Sequence, residues 1–213
     1  MIDIIILSNG LDQYFREMTQ TCIDSCHASE EIKFNIIVYE QTDAKYKNCT
    51  TINYDIPFHY NRLMNMGIES TNNPYICLCN NDLIFHKGWA TECLELMKDY
   101  GVWSCSPSHK TNTRAHKNER WVRGYRIGIG GEVKGWCILC DRRVFDVIGK
   151  IDESVSFWYS DHVYAEQLEK HNISHILALN ARVDHLFSKT LKEVPLEINH
   201  ELTDKQQKIY NGN

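Results

Sequence analysis

Three short apolar runs, each followed directly by polar residues, restrict this chain to an α/β architecture. The runs are Ile2–Leu7, Phe34–Tyr39 and Tyr75–Cys79, and each has the length of a strand that is buried on both faces. Segments with a helical spacing of apolar residues separate them, at 11–28 and 60–70. Strands that alternate with helices form largely parallel sheets through right-handed crossovers. We therefore predict a Rossmann-like α/β domain with a mostly parallel central sheet flanked by helices.

The polar residues that follow these strands are expected to meet at one edge of the sheet. They are Ser8-Asn9-Gly10, residues 40–43 and Asn80-Asn81-Asp82. In open α/β sheets, ligands bind outside the carboxyl ends of the strands. The sequence therefore predicts that these three segments line a single cleft.

Composition excludes several classes of protein. The net charge is −5 and the pI is near 6.0, so no broad basic face is available for a nucleic-acid backbone and we expect no nucleic-acid partner. No apolar run reaches the length of a transmembrane helix. The first run is too short, and too acidic at Asp3, for a signal peptide.

The nine cysteines are predicted to be free thiols. Cys137 and Cys140 form a CxxC pair, but they lie in a strand-like run, so their side chains should point to opposite faces of the sheet. No further ligands follow at zinc-binding spacing. Free cysteines are typical of reducing compartments, which predicts a cytoplasmic location.

The run from Tyr75 to Asp82 carries the strongest chemical signal. An apolar strand that ends in two amides and an acid places oxygen ligands at the lip of the cleft. Mg²⁺ and Mn²⁺ bind one or two carboxylates together with water and phosphate oxygens. Asp82 is therefore a candidate metal ligand, and Asn80 is better placed to hydrogen-bond a nucleotide. The structural alternative is a plain turn, since Asn and Asp are favoured at strand exits.

Four sequence blocks occur in a fixed order along the chain. They are the helix FHYNRLMNMGI at 58–68, the strand ending in Asn80-Asn81-Asp82, the segments at 135–145 and 148–153, and the acidic and His positions at 159–162 and 183–185. Together these blocks resemble family 2 glycosyltransferases, in which the third block usually reads "G…R…F…G.FDE". That family has the glycosyltransferase-A fold, and the resemblance covers about residues 2–190. In its short length and free cysteines the chain also resembles virus-encoded glycan-building transferases.

The resemblance implies a site for a UDP-sugar. Ser8, Asn9 and Glu40 would hold uracil and ribose, although Glu40 replaces a more usual Asp. Arg62 would meet the uracil or the diphosphate; the alternative for Arg62 is a solvated helix face. Asn80 and Asn81 complete the nucleotide-sugar contacts.

A late histidine joins the metal in metal-dependent relatives, which makes His185 the second predicted ligand of Mn²⁺ or Mg²⁺. Asp184 is the fallback ligand. Most of the ten histidines are expected to be structural or exposed, and only its position distinguishes His185 from them.

Asp161 is the candidate catalytic carboxylate. Glycosyl transfer needs the acceptor hydroxyl to lose its proton as it attacks, and a nearby carboxylate can act as the general base. The alternative is an N-cap for a helix starting at His162. Ser160 stands where the family commonly has a second acid, which weakens the expectation of an inverting mechanism. Three nearby aromatic residues, Trp136, Trp158 and Tyr159, are either an acceptor platform or core, as is Trp121 further upstream.

The same resemblance divides the chain. We predict a catalytic domain over residues 1–190, with a nucleotide-sugar-binding half at 1–106 and an acceptor and catalytic half at 107–190. Residues 191–213 are predicted to be a tail or a linker, which suggests a longer multidomain chain. The Arg- and Gly-rich segment 107–134, with Lys110, Arg114 and Lys117 at its centre, is expected to close over the diphosphate or to shape the acceptor site.

The predicted function is metal-dependent transfer of a hexose or deoxyhexose, such as glucose or rhamnose, from a UDP-sugar to a hydroxyl of a glycan or glycoprotein. A nucleotidyltransferase acting on sugar phosphates is one alternative, but Ser8-Asn9-Gly10 lacks the Gly-rich, basic phosphate loop that it would need. A non-catalytic sugar-nucleotide-binding module is the other alternative, and it would tolerate loss of Asp82 and Asp161.

Overall fold

The computed structural model describes residues 1–109, 119–128, 130–186 and 196–212, with only the backbone described at 196–202. Strands and helices are numbered separately in chain order. The strands are β1 (Ile2–Ser8), β2 (Phe34–Glu40), β3 (Thr50–Asn53), β4 (Tyr75–Asn80), β5 (Leu83–Phe85), β6 (Ser104–Ser108), β7 (Trp121–Arg123), β8 (Cys137–Asp141) and β9 (His175–His185). The helices are α1 (Gln13–Ser29), α2 (Tyr60–Glu69), α3 (Trp89–Tyr100), α4 (Arg143–Ile148), α5 (Ser160–Lys170) and α6 (Leu196–Asn211).

The strands form one sheet in the order β3-β2-β1-β4-β8-β6-β9-β5, with β7 also paired to β9. The first four strands are parallel, as the alternation of strands and helices predicts. Beyond β4 the sheet is mixed: β8 is antiparallel to β4 and β6, and β9 is parallel to β6 but antiparallel to β5 and β7. The α/β class is confirmed, and the parallel part of the sheet is the half that carries the predicted strand exits.

Helix α1 shows how local sequence sets an element boundary. Asp12 is its N-cap, and the Asp12 carboxylate accepts a hydrogen bond from the Phe15 backbone N–H at 3.1 Å. Phe15, Met18 and Cys22 form the buried face, as the helical spacing of apolar residues at 11–28 indicates. Leu11 shares that spacing, but it precedes the cap and is 66% exposed.

Two apolar layers cover the sheet. Because side chains alternate along a strand, Ile4 of β1 faces the layer that contains α1 and α3, whereas Ile5 faces the layer that contains α2 and α5. Cys137 and Cys140 of β8 lie in opposite layers, which confirms the prediction from strand geometry. All nine cysteines are free.

The segment 107–134 is only partly described, and Lys110, Arg114 and Lys117 lie outside the described residues. Arg120 forms ion pairs with Glu92 and Glu95 of α3. Further along, Arg126 pairs with Glu132. These guanidinium groups are therefore held by carboxylates of the protein, and closure of the segment over a diphosphate stays a prediction.

The C-terminal helix α6 contacts the domain beside α5. Gln206 is buried, and its side-chain oxygen accepts a hydrogen bond from the Phe157 backbone N–H at 2.9 Å. Its amide group donates to the Ser156 hydroxyl at 2.8 Å. The Tyr210 ring stacks on Tyr159 with 4.9 Å between centroids. Within the described part of the chain, no helix has the length and apolar character needed to cross a membrane.

Candidate functional site

The sheet brings the predicted strand exits to one edge. Ser8 is paired with Glu40 across β1 and β2, and Leu7 is paired with Asn80 across β1 and β4. The three polar segments therefore follow adjacent parallel strands at their carboxyl ends. The predicted residues at this edge form two groups, one behind the exits of β1 and β2 and one around a cavity beside β4 and β9.

The first group is a buried polar network centred on Thr19 of α1. The Thr19 hydroxyl lies 2.9 Å from the Ser8 hydroxyl and accepts a hydrogen bond from the Asn81 amide, also at 2.9 Å. The Ser8 hydroxyl is in turn 3.0 Å from the Tyr46 hydroxyl. Asn9 lies beside this network, and its side-chain oxygen is buried and has no hydrogen-bond partner. No local pattern indicates Thr19 or Tyr46, because their hydrogen-bond partners are distant in the chain.

Glu40 is fully buried, and both of its carboxylate oxygens are used within the protein. Oε1 accepts from the backbone N–H groups of Gly10 and Thr42 at 2.9 and 2.7 Å, and Oε2 accepts from the Tyr46 hydroxyl at 2.6 Å. Burial alone would raise the pKa of Glu40, but these hydrogen bonds, with one from Ser8, lower it below its usual value. Burial and the Glu40 carboxylate raise the pKa of Tyr46 to about 12. The direct contacts of Glu40 thus shape the loop after β1, which is the surface predicted to meet the nucleotide.

Glu40→Gln is expected to lower the free energy of unfolding near neutral pH by about 1–3 kcal/mol. The reason is that the glutamine NH₂ group would face the Tyr46 hydroxyl or the Thr42 N–H, each of which donates a hydrogen bond to Glu40 in the native protein. Since the folded-state pKa of Glu40 is lowered from 4.5, the ionised carboxylate stabilises the fold above that pH. This stabilisation is lost as the pH falls through the lowered pKa. The difference between wild type and variant should therefore shrink from about pH 7 to about pH 3. Urea unfolding followed by circular dichroism measures it.

The exposed Glu31 provides the matched control for this measurement. Glu31→Gln makes the same chemical change on the surface and should leave the free energy of unfolding nearly unchanged at every pH. A Glu40→Gln deficit that stays constant across the pH range would contradict the role of the ionised carboxylate.

The second group contains the two predicted metal ligands. Asp82 lies between β4 and β5 and is 3% exposed, and His185 is the last residue of β9. The Asp82 Oδ1 and His185 Nε2 atoms are 3.1 Å apart. The Leu186 backbone N–H donates to the Asp82 carbonyl at 3.0 Å and fixes the end of β9 against this loop. The Trp136 ring stacks on His185, with 5.4 Å between centroids, and limits its orientation.

The Asp82 and His185 donor set fits a divalent cation that is shared with a ligand. Two ligands at right angles, each about 2.1 Å from an octahedral ion, lie about 3 Å from each other, which matches the 3.1 Å separation. In the described parts of the chain, no group of three or more His, Cys, Asp or Glu side chains is arranged to hold a metal. Of the described residues, Asp82 and His185 would supply two ligands, and phosphate oxygens and water would complete the coordination.

Asp184, the fallback ligand, lies on the opposite face of β9 from His185 because successive side chains alternate. Its carboxylate accepts from His86 at 3.0 Å and from Arg182 at 3.0 Å. Burial would raise the pKa of Asp184, but these two partners lower it. Asp184 is thus part of a separate ionic cluster.

A cavity of roughly 200 Å³ opens beside this pair. Its polar lining includes Asn80, Ser160, Asp161 and His185. Typical sites for drug-sized ligands are larger, about 300–1,000 Å³, so this cavity suits one part of a nucleotide-sugar or acceptor. Asp161 and His185, predicted separately as base and metal ligand, therefore share one cavity.

Asp161 lies within the first turn of α5, which begins at Ser160. The predicted helix start at His162 is therefore wrong, and Asp161 does not occupy the N-cap position, which belongs to Tyr159. The Asp161 carboxylate accepts from the His162 backbone N–H at 3.0 Å and lies 3.0 Å from His162 Nδ1. That contact with Asp161 raises the pKa of His162. Gly135 permits the close approach of Asp161, because a Cβ atom at residue 135 would lie 2.6 Å from the Asp161 Cβ.

Aromatic residues form much of the remaining cavity wall. Trp136, Trp158 and Tyr159 line it, whereas Trp121 packs against Tyr100 elsewhere. Sequence reasoning missed two further lining residues, Tyr60 and Asn61, which were noted only as part of a helix. The asparagines at 61 and 65, one helical turn apart on a buried face, were the available signal.

Arg62 is not among the residues that line this cavity. Its guanidinium Nε donates to the Glu153 carboxylate at 3.0 Å, and both side chains are partly exposed. The prediction that Arg62 meets the uracil or the diphosphate therefore requires this ion pair to open or to be shared.

No protein-family model matches the sequence, and a search of curated proteins found no match. Solved structures do match the fold. The mannosyltransferase PcManGT from Pyrobaculum calidifontis, in complex with GDP-Man and Mn²⁺, is 8% identical with a TM-score of 0.67, over 88% of this chain and 57% of that chain. GalNAc-T7, with UDP, GalNAc and Mn²⁺, is 10% identical with a TM-score of 0.67, over 87% of this chain and 43% of that chain.

These similarities show that the fold is of the glycosyltransferase-A type. The chain spans about half the length of the two solved structures, at 57% and 43%.

Proposed function

We propose that this protein is a metal-dependent glycosyltransferase that moves a sugar from a UDP-sugar to a hydroxyl of a glycan or glycoprotein acceptor. One observation carries the proposal: an Asp82–His185 pair with metal-ligand separation lies at the strand exits of a glycosyltransferase-A fold, and His185 shares a cavity with Asp161. Both solved structures contain Mn²⁺ and a nucleotide or nucleotide-sugar, which supports the choice of reaction.

Each part of the site has a defined task in this proposal. Asp161 accepts the proton of the attacking hydroxyl. Asp82 and His185 hold Mn²⁺ or Mg²⁺, which would stabilise the negative charge of the leaving diphosphate. In this proposal the metal ion compensates the diphosphate charge, because Arg62 and Arg126, two cations in the described part of the chain, are already paired with carboxylates. Trp136 and Tyr159 provide aromatic faces for a sugar ring.

The finer assignments are part of the same proposal. The transferred sugar is a hexose or deoxyhexose, and the enzyme is a hexosyltransferase related to family 2, with an acceptor side formed by residues 107–190. Nine free cysteines support a cytoplasmic location, which would be the host cytosol if the source is viral. The chain would act alone or as one domain of a longer protein.

UDP is expected to bind more tightly than GDP. The exits of β1 and β2 are lined by amide and acidic residues, and the loop after β1 packs closely on Tyr46, since a Cβ atom at Gly10 would lie 2.8 Å from the Tyr46 hydroxyl. The buried, unpartnered oxygen of Asn9 can accept the uracil N–H. Calorimetry with UDP and GDP in Mn²⁺ measures the preference, and equal or tighter binding of GDP would overturn the assignment.

A thermal-shift panel tests the proposed function as a whole. UDP-glucose, UDP-galactose, UDP-GalNAc and GDP-mannose would each be added with Mn²⁺ or with EDTA. A specific donor stabilises the native state by mass action, so at least one should raise the melting temperature in Mn²⁺ and not in EDTA. No stabilisation by any nucleotide, with or without metal, would refute the proposal.

A further inference from the structure

Asn61 carries a buried acceptor that the protein itself does not use. Its side chain belongs to α2, is 1% exposed and lines the cavity next to Asp161. The Asn61 Nδ2 group donates to the Asp152 carbonyl at 2.7 Å. The Asn61 Oδ1 atom has no hydrogen-bond partner. A buried polar atom without a partner is uncommon in native proteins and calls for a physical explanation.

The orientation of this amide follows from its surroundings. Rotating it by half a turn would place Oδ1 against the Asp152 carbonyl, and two acceptors cannot share a hydrogen bond. Nδ2 therefore faces Asp152, and Oδ1 is the atom left without a partner.

Asn65, one turn further along α2, shows what a purely structural asparagine does at this face. Its Nδ2 donates to the Ile151 carbonyl at 2.8 Å and to Glu153 at 3.0 Å, and its Oδ1 accepts from the Ile151 N–H at 3.0 Å. Asn65 is also buried, but it does not line the cavity. The two asparagines hold the same loop, and only the one at the cavity has an unused acceptor.

The chemistry of the surrounding wall identifies the class of ligand. The Tyr60 hydroxyl already donates to the Gly135 carbonyl at 3.1 Å. Asn61 Oδ1 and the Asp161 carboxylate are both acceptors, and Trp158 and Tyr159 add aromatic faces. A ligand with hydroxyl donors and an apolar C–H face satisfies both features, and a pyranose ring has both.

We propose that Asn61 Oδ1 accepts a hydrogen bond from one hydroxyl of a pyranose bound in the cavity, and that Asn61 thereby selects sugars that keep this hydroxyl over their deoxy analogues. A site built to pair with a hydroxyl discriminates against the analogue that lacks it, because the buried acceptor is then left unpaired. This inference rests on the proposed function, and the pyranose belongs either to the donor or to the acceptor.

The first experiment compares Asn61→Leu with wild type in Mn²⁺ by calorimetry, using UDP alone and the four nucleotide-sugars of the panel. UDP affinity should be unchanged. If the pyranose is the donor's, the affinity gained from the sugar should fall by about 10- to 100-fold, the usual range for an unpaired buried group. Asn65→Leu is the matched control: it removes structural hydrogen bonds on the same helix face, so any loss should affect UDP and UDP-sugar equally.

The second experiment uses monodeoxy analogues of the sugar that binds most tightly, and monodeoxy acceptors in transfer assays. With wild type, one analogue should lose about 10- to 100-fold in affinity or in kcat/KM, and Asn61→Leu should abolish that difference. If a donor analogue shows this pattern in the absence of acceptor, the donor sugar is the one that binds Asn61. If an acceptor analogue shows it while donor affinity stays constant, the acceptor sugar is the one that binds Asn61.

The outcomes separate the inference from the function. Transfer or donor binding in which Asn61→Leu keeps the same selectivity among all monodeoxy sugars overturns the inference and leaves the function standing. Absence of any nucleotide binding refutes the function, and the inference with it. If Asn61→Leu does not fold, a crystal structure of wild type with UDP and the sugar decides: a sugar hydroxyl on Oδ1 supports the inference, and a water molecule alone there overturns it.

Discussion

Asp161→Asn is expected to slow sugar transfer by about 10²–10⁴-fold, the usual contribution of a positioned acid–base group. The amide keeps the shape of the side chain and an oxygen that can accept from the His162 N–H, 3.0 Å away in the native protein. What it loses is the capacity to take a proton from the acceptor hydroxyl. Among the described residues that line the cavity, Asp161 is the carboxylate. Initial rates with saturating donor and acceptor measure the effect, and calorimetry should show donor affinity close to wild type.

Asp184→Asn is the matched control. It makes the same change outside the cavity, on the face of β9 opposite His185, and should keep near-normal turnover. Near-normal transfer by Asp161→Asn would instead remove Asp161 from the mechanism. The substitutes would be Asp152, Glu153 and Asp184. The structure ties Asp152 to the Ser154 N–H, Glu153 to Arg62 and Asn65, and Asp184 to His86 and Arg182. A wild-type protein that binds a UDP-sugar and transfers nothing to any acceptor would favour the non-catalytic binding module.

The anomeric configuration of the product, determined by NMR, separates inversion from retention. A single carboxylate that acts as base gives inversion, which we favour. Retention would assign Asp161 to the sugar ring as a nucleophile or as a stabilising charge.

Asp82→Ala is expected to abolish Mn²⁺-dependent binding of UDP, so that affinity in Mn²⁺ falls to the value in EDTA. The reason is the donor set, because removal of Asp82 leaves His185 as the one protein ligand of the proposed pair. Asp82 lies just beyond a strand exit, yet it is 3% exposed and lies against His185, so its removal can also disturb packing. Asp82→Asn, which keeps the volume, therefore accompanies Asp82→Ala, and urea unfolding checks both variants.

Asp184→Ala controls for loss of a carboxylate next to the site and should keep the metal dependence. His185→Ala should weaken Mn²⁺-dependent binding as well, and the bound ion can be followed directly by electron paramagnetic resonance. UDP affinity that remains metal-dependent in Asp82→Ala would show that the metal centre lies elsewhere.

The helix α6 was not foreseen as a contact of the site. Its sequence is polar and indicates only a weak helix, so a tail or linker was expected. In the structure Gln206 and Tyr210 hold the segment of residues 156–159, which leads into α5 and Asp161. Such contacts depend on packing between segments about 50 residues apart, as between Phe157 and Gln206, and no local pattern encodes them.

Local sequence determined the α/β class and the edge of the sheet where the polar exits meet. Short apolar runs such as Ile2–Leu7, bounded by polar residues, have the length of strands buried on both faces, and parallel pairing then brings Ser8, Glu40 and Asn80 to one end. The pairing of Asp82 with His185 was predicted from the family resemblance, since 103 residues separate them and no periodicity connects such positions.

Tertiary structure alone decided how each of these side chains is used. Glu40 has the sequence position of a nucleotide ligand, yet its oxygens are used by Gly10, Thr42 and Tyr46. Asn61 has the sequence position of an ordinary helix residue, yet it lines the cavity and its buried oxygen has no hydrogen-bond partner. The physical reason is that a hydrogen bond depends on which donors and acceptors packing brings within about 3 Å. Residue type fixes what a side chain can bind, and the fold fixes which partner it meets.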